Sequence, residues 1–233
     1  IYGGYQGVIY PVNPKAKGVL GIRCVPSIDR IDHKVDLAVI IVPAAVVPAV
    51  VEQCADSGTR HVGVISAGFK EVGGAGVERE EQLRTLASER GLSIVGPNCL
   101  GVINTSESVA MNASFAREMP RPGCLGLISQ SGALCTALLD YAKGQGVGFS
   151  RFISFGNKVD VNEVDLLRSM GRDPQTRVIM MYVEDISSGP EFVAAAYEIT
   201  HGPDPTPILA IKTGRTAEGA AAAAPHTGPL AGS

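Results

Sequence analysis

The chain has 233 residues, which is enough for one large domain or two small ones. It carries 20 Lys and Arg against 23 Asp and Glu, a formal net charge of −3, and this balance excludes the basic face that general nucleic-acid binding needs. Hydrophobic residues make up 45% and charged residues 18%, which is typical of a globular rather than a disordered chain. The longest apolar stretch, residues 37–51, contains two prolines and is too short to span a membrane.

The five cysteines favour a reducing, cytoplasmic setting. They are odd in number and widely spaced, and no two of them form a CxxC motif, so we expect neither a disulfide framework nor a metal site. The N-terminus lacks the basic-then-apolar order of a secretion signal. Because the sequence begins at Ile1 and stops at Ser233 inside a Gly-rich stretch, we interpret it as part of a longer protein.

Short apolar runs bounded by Gly, Pro or Asn alternate with longer helix-like segments, a pattern typical of β-α units and a parallel sheet. In the first half, strands are predicted at residues 8–12, 37–42, 61–66 and 92–95, and helices at 46–56 and 77–90. The run at 37–42 is continuously apolar, which indicates a strand buried on both faces.

The second half repeats this order. Strands are predicted at residues 124–129, 149–154, 177–183 and 207–212, and helices at 132–143, 161–170 and 190–200. The stretch 104–121 has mixed polarity and is interpreted as a connector, which divides the chain into domains at 1–118 and 119–233. Two open α/β sheets in tandem are expected, with one continuous large sheet as the alternative. The chain after Lys212 fits either a helix leading into a loop or a mobile segment.

Ligands of open α/β sheets bind beyond the carboxyl ends of the strands, so the turns there are candidate sites. Small or rigid residues in such turns let backbone amides approach a ligand closely. The first half has four of these turns: Val12-Asn13-Pro14-Lys15, Val42-Pro43-Ala44, Ser66-Ala67-Gly68-Phe69 and Gly96-Pro97-Asn98-Cys99. Together they predict a crevice for a nucleotide-like cofactor, although each alone also fits an ordinary loop, and Lys15 fits either a phosphate contact or a solvated lysine. Cys99 fits a small buried residue better than a nucleophile.

In the second half, Ser129-Gln130-Ser131-Gly132-Ala133-Leu134 reads as a strand end, a turn and a helix start. A helix start offers backbone amides and a positive dipole end to an anion, and a plain Ser N-cap is the alternative. The block Ser154-Phe155-Gly156-Asn157-Lys158-Val159-Asp160 repeats the pattern one unit later. Two helix N-termini are therefore predicted to face one phosphate.

Glu184 directly follows an apolar strand, where a carboxylate needs a partner unless it turns to water. His226 lies in a Pro-His-Thr-Gly loop without a second His or Cys at ligand spacing, so no metal site is predicted. A neutral imidazole is a nucleophile near neutral pH, and a carboxylate at its other nitrogen would hold the tautomer. Glu184 is the candidate for that role. The alternatives are a strand-end residue turned to water for Glu184 and a surface or packed residue for His226.

Five blocks in order along the chain resemble the NDP-forming acyl-CoA synthetases, relatives of the succinyl-CoA synthetase alpha subunit. They are Pro11-Val12-Asn13-Pro14-Lys15, Gly96-Pro97-Asn98-Cys99-Leu100-Gly101, Ser129-Gln130-Ser131-Gly132-Ala133-Leu134, Ser154-Phe155-Gly156-Asn157-Lys158-Val159-Asp160-Val161 and His226-Thr227-Gly228-Pro229-Leu230-Ala231-Gly232-Ser233. The resemblance implies an α/β fold. It consists of a Rossmann-like CoA-binding domain that lacks its first strand and a flavodoxin-like, succinyl-CoA synthetase-like parallel-sheet domain that ends in a phosphohistidine loop.

The resemblance also implies the chemistry. In this family a histidine takes a phosphoryl group from a nucleotide, ATP or GTP, and passes it to a small carboxylic acid, and CoA then attacks the acyl phosphate. The histidine corresponds to His226 and its supporting carboxylate to Glu184. The phosphate cradle corresponds to Ser131, Gly132, Ala133, Gly156 and Asn157. CoA is expected to contact Asn13, Pro14, Lys15, Pro43, Ser66, Ala67, Gly68 and Asn98.

Some features depart from the family or belong elsewhere. The nucleotide and its Mg²⁺ are expected on an ATP-grasp domain or beta subunit outside this sequence, so the chain is expected to be inactive alone and to act in an oligomer. Pro225 and Pro229 flank His226 where the family has small or hydroxyl residues, and Thr136 stands where succinate-type members carry Tyr. The alternative function is a CoA-binding regulatory module of the kind fused to protein acetyltransferases. A nicotinamide-dependent dehydrogenase would leave everything after Cys124 unexplained.

Overall fold

The structure is a computed structural model and describes residues 3–213. Its strands and helices, in chain order, are β1 (Gly18–Val19), β2 (Ile22–Arg23), β3 (Ala38–Ile40), α1 (Val47–Asp56), β4 (His61–Val64), α2 (Ala75–Arg90), β5 (Ser93–Val95), β6 (Gly101–Asn104), β7 (Met111–Ser114), β8 (Pro122–Ser129), α3 (Gly132–Gln145), β9 (Phe149–Ser154), α4 (Glu163–Gly171), β10 (Val178–Val183), α5 (Gly189–His201) and β11 (Ile208–Lys212). Within residues 3–213 no helix has the length and apolar character needed to cross a membrane.

The strands form two main sheets. The first sheet is parallel, with the order β3-β4-β5, and the second has the order β11-β10-β8-β9-β6-β7. Strands β8 to β11 of the second sheet are parallel, whereas β6 is antiparallel to both β9 and β7. The short strands β1 and β2 form a separate antiparallel pair. The predicted tandem arrangement of two α/β sheets is confirmed, and the single continuous sheet is wrong for the described residues.

Helices α1 and α2 supply the core of the first sheet. Helix α1 buries Val47, Val51, Cys54 and Ala55, a spacing that places all four side chains on one helical face. They join Val62, Val64 and Ile94 from the sheet and Leu83 from α2 in one cluster. Helix α2 ends at Gly91, which adopts the left-handed conformation that commonly terminates helices.

The central strands of the second sheet are buried on both faces. Alternate residues of a strand point to opposite faces, so Leu127 and Phe152 enter one core while their neighbours Ile128 and Ile153 enter the other. Helix α3 contributes Cys135 to the first of these cores, and α4 contributes Leu167 to the second. This explains why the central strand β10 shows no alternation of polar and apolar residues.

The strand predicted at residues 8–12 is wrong. Only Val12 pairs, in a single parallel bridge with Val25. Pairing does not extend to the preceding residues because Pro11 lacks the backbone N–H that would continue the ladder, and it does not extend to the following ones because the N–H of Lys15 is bound by the Asn13 side chain. Val8 is 73% exposed, so this segment has no core to enter among the described residues.

The stretch 104–121, expected to be only a connector, contains an extra strand. Strands β6 and β7 are both in the second sheet, with Gly101 opposite Ser154 and Asn104 opposite Arg151. Sheet membership therefore assigns the chain from Gly101 onward to the second sheet. The division into domains at 1–118 and 119–233 stays a prediction.

One segment of the second half is hydrogen-bonded to the first sheet. Residues 157–161 follow β9 and run antiparallel beside β5, where the N–H groups of Asn157, Val159 and Val161 donate to the carbonyls of Pro97, Gly96 and Ile94 at 2.9, 3.0 and 3.1 Å. Val159 is buried in the core of the first sheet. We call residues 156–161 the joint, because they connect the two sheets directly.

Candidate functional site

Three turns meet at the carboxyl edge of the first sheet. The hydroxyl of Ser66 accepts the N–H of Val42 at 3.0 Å and donates to the carbonyl of Val42 at 2.6 Å. The N–H of Asn98 donates to the carbonyl of Ser66 at 3.0 Å. The turns that hold the following predicted CoA contacts are therefore tied together: Pro43, Ser66, Ala67, Gly68 and Asn98.

Close packing requires a glycine at position 68. Its φ of +106° is rare for other residues, and a Cβ there would lie 2.9 Å from the Cβ of Ala44. The N–H groups of Gly68 and Phe69 donate to Glu71 Oε1 at 2.6 and 3.1 Å. These two amides are thus held by a carboxylate of the protein rather than directed to a ligand.

The first predicted turn is an exposed Asn-Pro turn. The Asn13 side chain accepts the N–H groups of Lys15 and Ala16, both at 2.9 Å, and the N–H of Asn13 donates to the carbonyl of Val25. Pro14 and Lys15 are exposed. The local bonds hold the turn without using the Lys15 ammonium, which is suited to contact a phosphate.

Helix α3 begins at the carboxyl edge of the second sheet, as predicted. Ser131 is its N-cap, and the Ser131 hydroxyl accepts the N–H of Leu134 at 3.3 Å. The N–H groups of Gly132 and Ala133 lie in the first turn, where helix geometry provides them with no intrahelical acceptor. The positive end of the helix dipole lies at the same place and favours a bound anion.

The helix start expected at Gly156 and Asn157 is wrong. Helix α4 begins only at Glu163, where the side chain of Asn162 caps the N–H of Val164 at 2.8 Å. The joint intervenes because its backbone pairs with β5. The first turn of α4 carries Glu163 and Asp165, which would repel an anion. Of the two helix N-termini predicted to face a phosphate, that of α3 is present, and the cradle role of Gly156 and Asn157 stays an unsupported prediction.

Glu184 lies at the end of β10 and is tied to the turn that begins α3. The Gln130 side-chain oxygen accepts the N–H of Glu184 at 2.5 Å and that of Asp185 at 3.1 Å, and the Gln130 amide donates to Asp185 Oδ1 at 2.5 Å. From β11, Lys212 Nζ donates to the carbonyl of Glu184 at 2.6 Å. The backbone of Glu184 is thus tied to the turn that precedes the predicted anion site at the start of α3. His226 lies outside the described residues.

A buried lysine, Lys158, contacts Asp185, the residue after Glu184, and the sequence alone gives this lysine no individual role. Lys158 is 8% exposed, and its Nζ lies 3.1 Å from Glu163 Oε2 and 2.9 Å from Asp185 Oδ2. Burial alone would raise the pKa of Asp185, but hydrogen bonds from Gln130 and Lys158 and the charges of Lys158 and Lys70 lower it overall. The sequence shows a lysine four residues after β9, but it does not show the carboxylate partners of this lysine.

Two other expectations concern reactive groups. Cys99 is 6% exposed, and burial raises the pKa of its thiol to about 12, so it fits the packing alternative rather than the nucleophile. In the part of the chain that the structure describes, no cluster of three His, Cys, Asp or Glu residues could hold a metal ion.

Two family models match this chain, one in each half. Residues 3–105 match the family model "CoA binding domain", and residues 122–233 match "Succinyl-CoA ligase like flavodoxin domain". Acetate--CoA ligase [ADP-forming] I of Archaeoglobus fulgidus is 44% identical over 229 residues, covering 98% of this chain and 33% of that protein. The alpha subunit of acetate--CoA ligase [ADP-forming] I of Pyrococcus furiosus is 43% identical, covering 99% of this chain and 50% of that protein.

A solved structure shows the same architecture. The dinucleotide forming acetyl-coenzyme A synthetase 1 of Ca. Korarchaeum cryptofilum, in complex with phosphate and ADP, superimposes with a TM-score of 0.90 and 41% identity. The match covers 99% of this chain and 49% of that one. The chain belongs to the NDP-forming acyl-CoA synthetase family. The resemblance and the fold class predicted from the sequence are thereby confirmed.

As a member of this family, the chain is a CoA-binding domain followed by a succinyl-CoA ligase-like flavodoxin domain. It spans between a third and a half of the length of the relatives described above. The family match extends to Ser233 and so includes His226.

Proposed function

We propose that this chain is the CoA-binding and ligase part of an acid:CoA ligase that makes acyl-CoA from a small carboxylic acid, CoA and ATP or GTP, releasing ADP or GDP. The observation that carries the proposal is the link through Gln130, which joins the backbone of Glu184 to the turn at the N-terminus of α3. A phosphohistidine needs both a carboxylate for its imidazole and an anion site for its phosphate, and the link through Gln130 connects the residues proposed for these two roles.

In the proposed mechanism, a ring nitrogen of His226 attacks the γ-phosphorus of the nucleotide, and the bond to the departing nucleoside diphosphate breaks. Glu184 accepts a hydrogen bond from the other ring nitrogen and stabilises the charge that develops on the ring. The amides of Gly132 and Ala133 and the dipole of α3 stabilise the phosphoryl oxygens. Transfer depends mainly on positioning and charge neutralisation, which rigid elements provide.

The second half of the reaction makes the thioester. A carboxylate oxygen of the acid attacks the phosphorus of the phosphohistidine, which restores the free imidazole and forms an acyl phosphate. The CoA sulfur then attacks the acyl carbon, the C–O bond to phosphate breaks, and phosphate leaves with the electron pair while the thiol proton passes to the solvent or the phosphate. Activation is necessary because a free carboxylate is a poor electrophile.

CoA is proposed to lie along the carboxyl edge of the first sheet. The tied turns provide small residues at Pro43, Ala67 and Gly68 for close approach, and the exposed Lys15 provides a cation for a phosphate. Ser66 and Asn98 hold these turns together in the fold, and we assign them to the lining of the same crevice, next to Asn13 and Pro14.

The nucleotide and its Mg²⁺ are proposed to come from an ATP-grasp domain or a beta subunit, so the active protein is an assembly. The Pyrococcus furiosus relative, which is named as an alpha subunit, supports a division of this kind. The acid is proposed to be small, and Thr136 gives no reason to choose succinate.

The decisive experiment measures phosphoryl transfer in the complete protein with its nucleotide-binding partner, using γ-labelled ATP and GTP with Mg²⁺. Wild type is expected to acquire an acid-labile label, and His226→Ala to acquire none. His201→Ala is the matched control, because His201 is an exposed residue at the end of α5, and it should label like wild type. Glu184→Gln should lower the labelling rate by about 10-fold or more, since the imidazole loses its charged acceptor.

A second candidate is a CoA-sensing module. It is favoured by Pro225 and Pro229, because each proline removes an amide donor beside His226. If the folded wild-type protein binds CoA but acquires no label from either nucleotide, the ligase proposal is wrong and the sensing module takes its place.

A further inference from the structure

The joint places two neighbouring side chains in two different sites. Asn157 extends its side chain toward the first sheet, and Lys158 extends its side chain toward the turn after β10. Lys158 has a φ of +53°. This backbone conformation lets the side chain of Asn157 point to the first sheet while that of Lys158 points to the turn after β10. Asn157 and Lys158 are 7% and 8% exposed, so both are committed to contacts within the protein.

Asn157 is bound to the carboxylates that support the CoA turn. Its side-chain amide donates to Glu71 Oε2 at 2.6 Å and to Glu80 Oε2 at 2.8 Å. The other oxygen of Glu71 holds the N–H groups of Gly68 and Phe69. The carboxylate of Glu71 thus connects Asn157 to the backbone of a proposed CoA-lining turn.

Lys70 strengthens the same contact from the first sheet. Its ammonium donates to the carbonyl of Asn157 at 2.7 Å and lies 3.3 Å from Glu80 Oε1. Both the amide and the carbonyl of Asn157 are therefore used. An aspartate at this position would keep the shape of the side chain but would replace the two N–H donors with a charge facing two carboxylates.

Lys158 is bound to the segment that carries Glu184. Its ammonium contacts Asp185 through both the carbonyl oxygen, at 3.1 Å, and the carboxylate. It also contacts Glu163, which is fully buried and accepts the N–H of Ser187 at 2.5 Å. Residues 185 and 187 are thus held by one ammonium and one carboxylate, immediately after Glu184.

We propose that Asn157 and Lys158 are positioning residues for different steps of the reaction: Asn157 for the attack of CoA on the acyl phosphate, and Lys158 for phosphorylation of His226. This inference rests on the proposed function. One short backbone segment sets the place of both sites, so the CoA sulfur and the acyl carbon meet in one geometry. Neither residue needs to touch the reacting atoms.

The test separates the steps in the complete protein. The rate of labelling from ATP measures phosphorylation of the protein. Loss of the label when the carboxylic acid substrate is added without CoA measures formation of the acyl phosphate. Formation of the thioester when both the carboxylic acid and CoA are present measures the last step. Asn157→Asp is expected to slow the last step by about 10- to 100-fold and to leave the first two within about twofold, because misplacement of a reactant has effects of this size. The Kd of CoA is expected to change much less than the rate.

Lys158→Met is expected to show the opposite pattern, with the rate of labelling reduced by about 10-fold or more. Lys158→Arg should restore part of the labelling rate, since it keeps the charge. If Lys158→Met does not fold, the comparison between wild type and Lys158→Arg still tests the prediction, because a longer side chain displaces Asp185 without removing the cation. Glu71→Gln provides the second variant for Asn157, since it places one amide group against another, and it should slow only the CoA step.

Asn112→Asp is the matched control, because Asn112 lies on β7 and its amide donates to the carbonyls of Ala116 and Glu118, away from the joint. It should leave all three rates unchanged. Equal slowing of every step in Asn157→Asp, together with a lower Tm, would show a merely structural role and overturn the inference. Wild-type rates in Asn157→Asp and Lys158→Met would overturn it as well. Absence of label on wild type would instead reject the proposed function.

Discussion

Individual side chains at the strand ends have partners that their residue types alone do not reveal. Ser66 was selected from the sequence as a residue for a ligand, yet both its donor and its acceptor are used by Val42. Asn157 was selected for a phosphate, yet its amide is held by Glu71 and Glu80. Small polar residues at these positions therefore join segments of the protein to one another.

The pKa of Glu71 gives a prediction at this scale. Burial alone would raise this pKa, but hydrogen bonds from Asn157, Gly68 and Phe69 lower it overall. A carboxyl group whose pKa is lower in the folded than in the unfolded state stabilises the fold at pH values above its unfolded-state pKa. This stabilisation is lost as the pH falls through the folded-state pKa. In urea unfolding, the difference in free energy between wild type and Glu71→Gln should be constant from pH 7 to near the ordinary value of 4.5 and should shrink below it.

Glu89→Gln is the control for this titration, because Glu89 is exposed on α2 and should give little difference at any pH. A Glu71→Gln difference that stays constant down to pH 3 would contradict the prediction.

At the scale of elements, local sequence patterns predict the helices and strands that have a clear apolar face or a clear cap. Strand β9 has the predicted bounds, and each end of each helix lies within two residues of its predicted position. Strand β7 was missed because its four residues are all half-buried, so it shows no alternation. Helix α4 starts two residues later than predicted because Asn162 and Asp165 form a capping box.

Gly156 provides a prediction for the joint. Its φ is +55°, and a Cβ there would lie 2.2 Å from the carbonyl oxygen of Pro97 and 2.3 Å from that of Asn98. Gly156→Ala should lower the free energy of unfolding by about 2–4 kcal/mol, since backbone must move as well as adopt a strained φ. Urea denaturation followed by circular dichroism measures the change.

Gly144→Ala is the matched control. Gly144 lies in α3, and a Cβ there would have no atom within 4 Å. This substitution should stabilise the protein by up to about 1 kcal/mol, because alanine favours the helix. Equal effects of the two substitutions would show that the joint is not closely packed.

At the scale of the whole molecule, the joint makes the stability of each sheet depend on the other. It supplies backbone hydrogen bonds to β5 and a buried side chain, Val159, to the core of the first sheet. Arg84 of α2 also donates to the carbonyl of Val159 at 2.9 Å. Loss of the second sheet would remove Val159 from the core of the first, and loss of the first would remove Val95, which packs against a core of the second. These shared contacts favour a single cooperative unfolding transition.

Two buried thiols test this cooperativity. Cys54 lies in the core of the first sheet and Cys135 in a core of the second, and burial raises the pKa of each thiol to about 11. Pulses of a thiol reagent at increasing urea, read by mass spectrometry, should modify both at the same midpoint. Cys124 is exposed and should react at every urea concentration, which serves as the control. Separate midpoints for Cys54 and Cys135 would show that the sheets unfold independently.

The sequence by itself determined the α/β class, the order of most elements, the family, and the candidacy of Glu184 and His226, because apolar periodicity, caps and motif blocks are local in the chain. Tertiary structure alone decided which strands pair and which charges meet. Asn157 and Glu71 are 86 residues apart, and Lys158 and Asp185 are on opposite sides of α4 in the chain. Such contacts depend on how distant segments pack together, so no local pattern contains them.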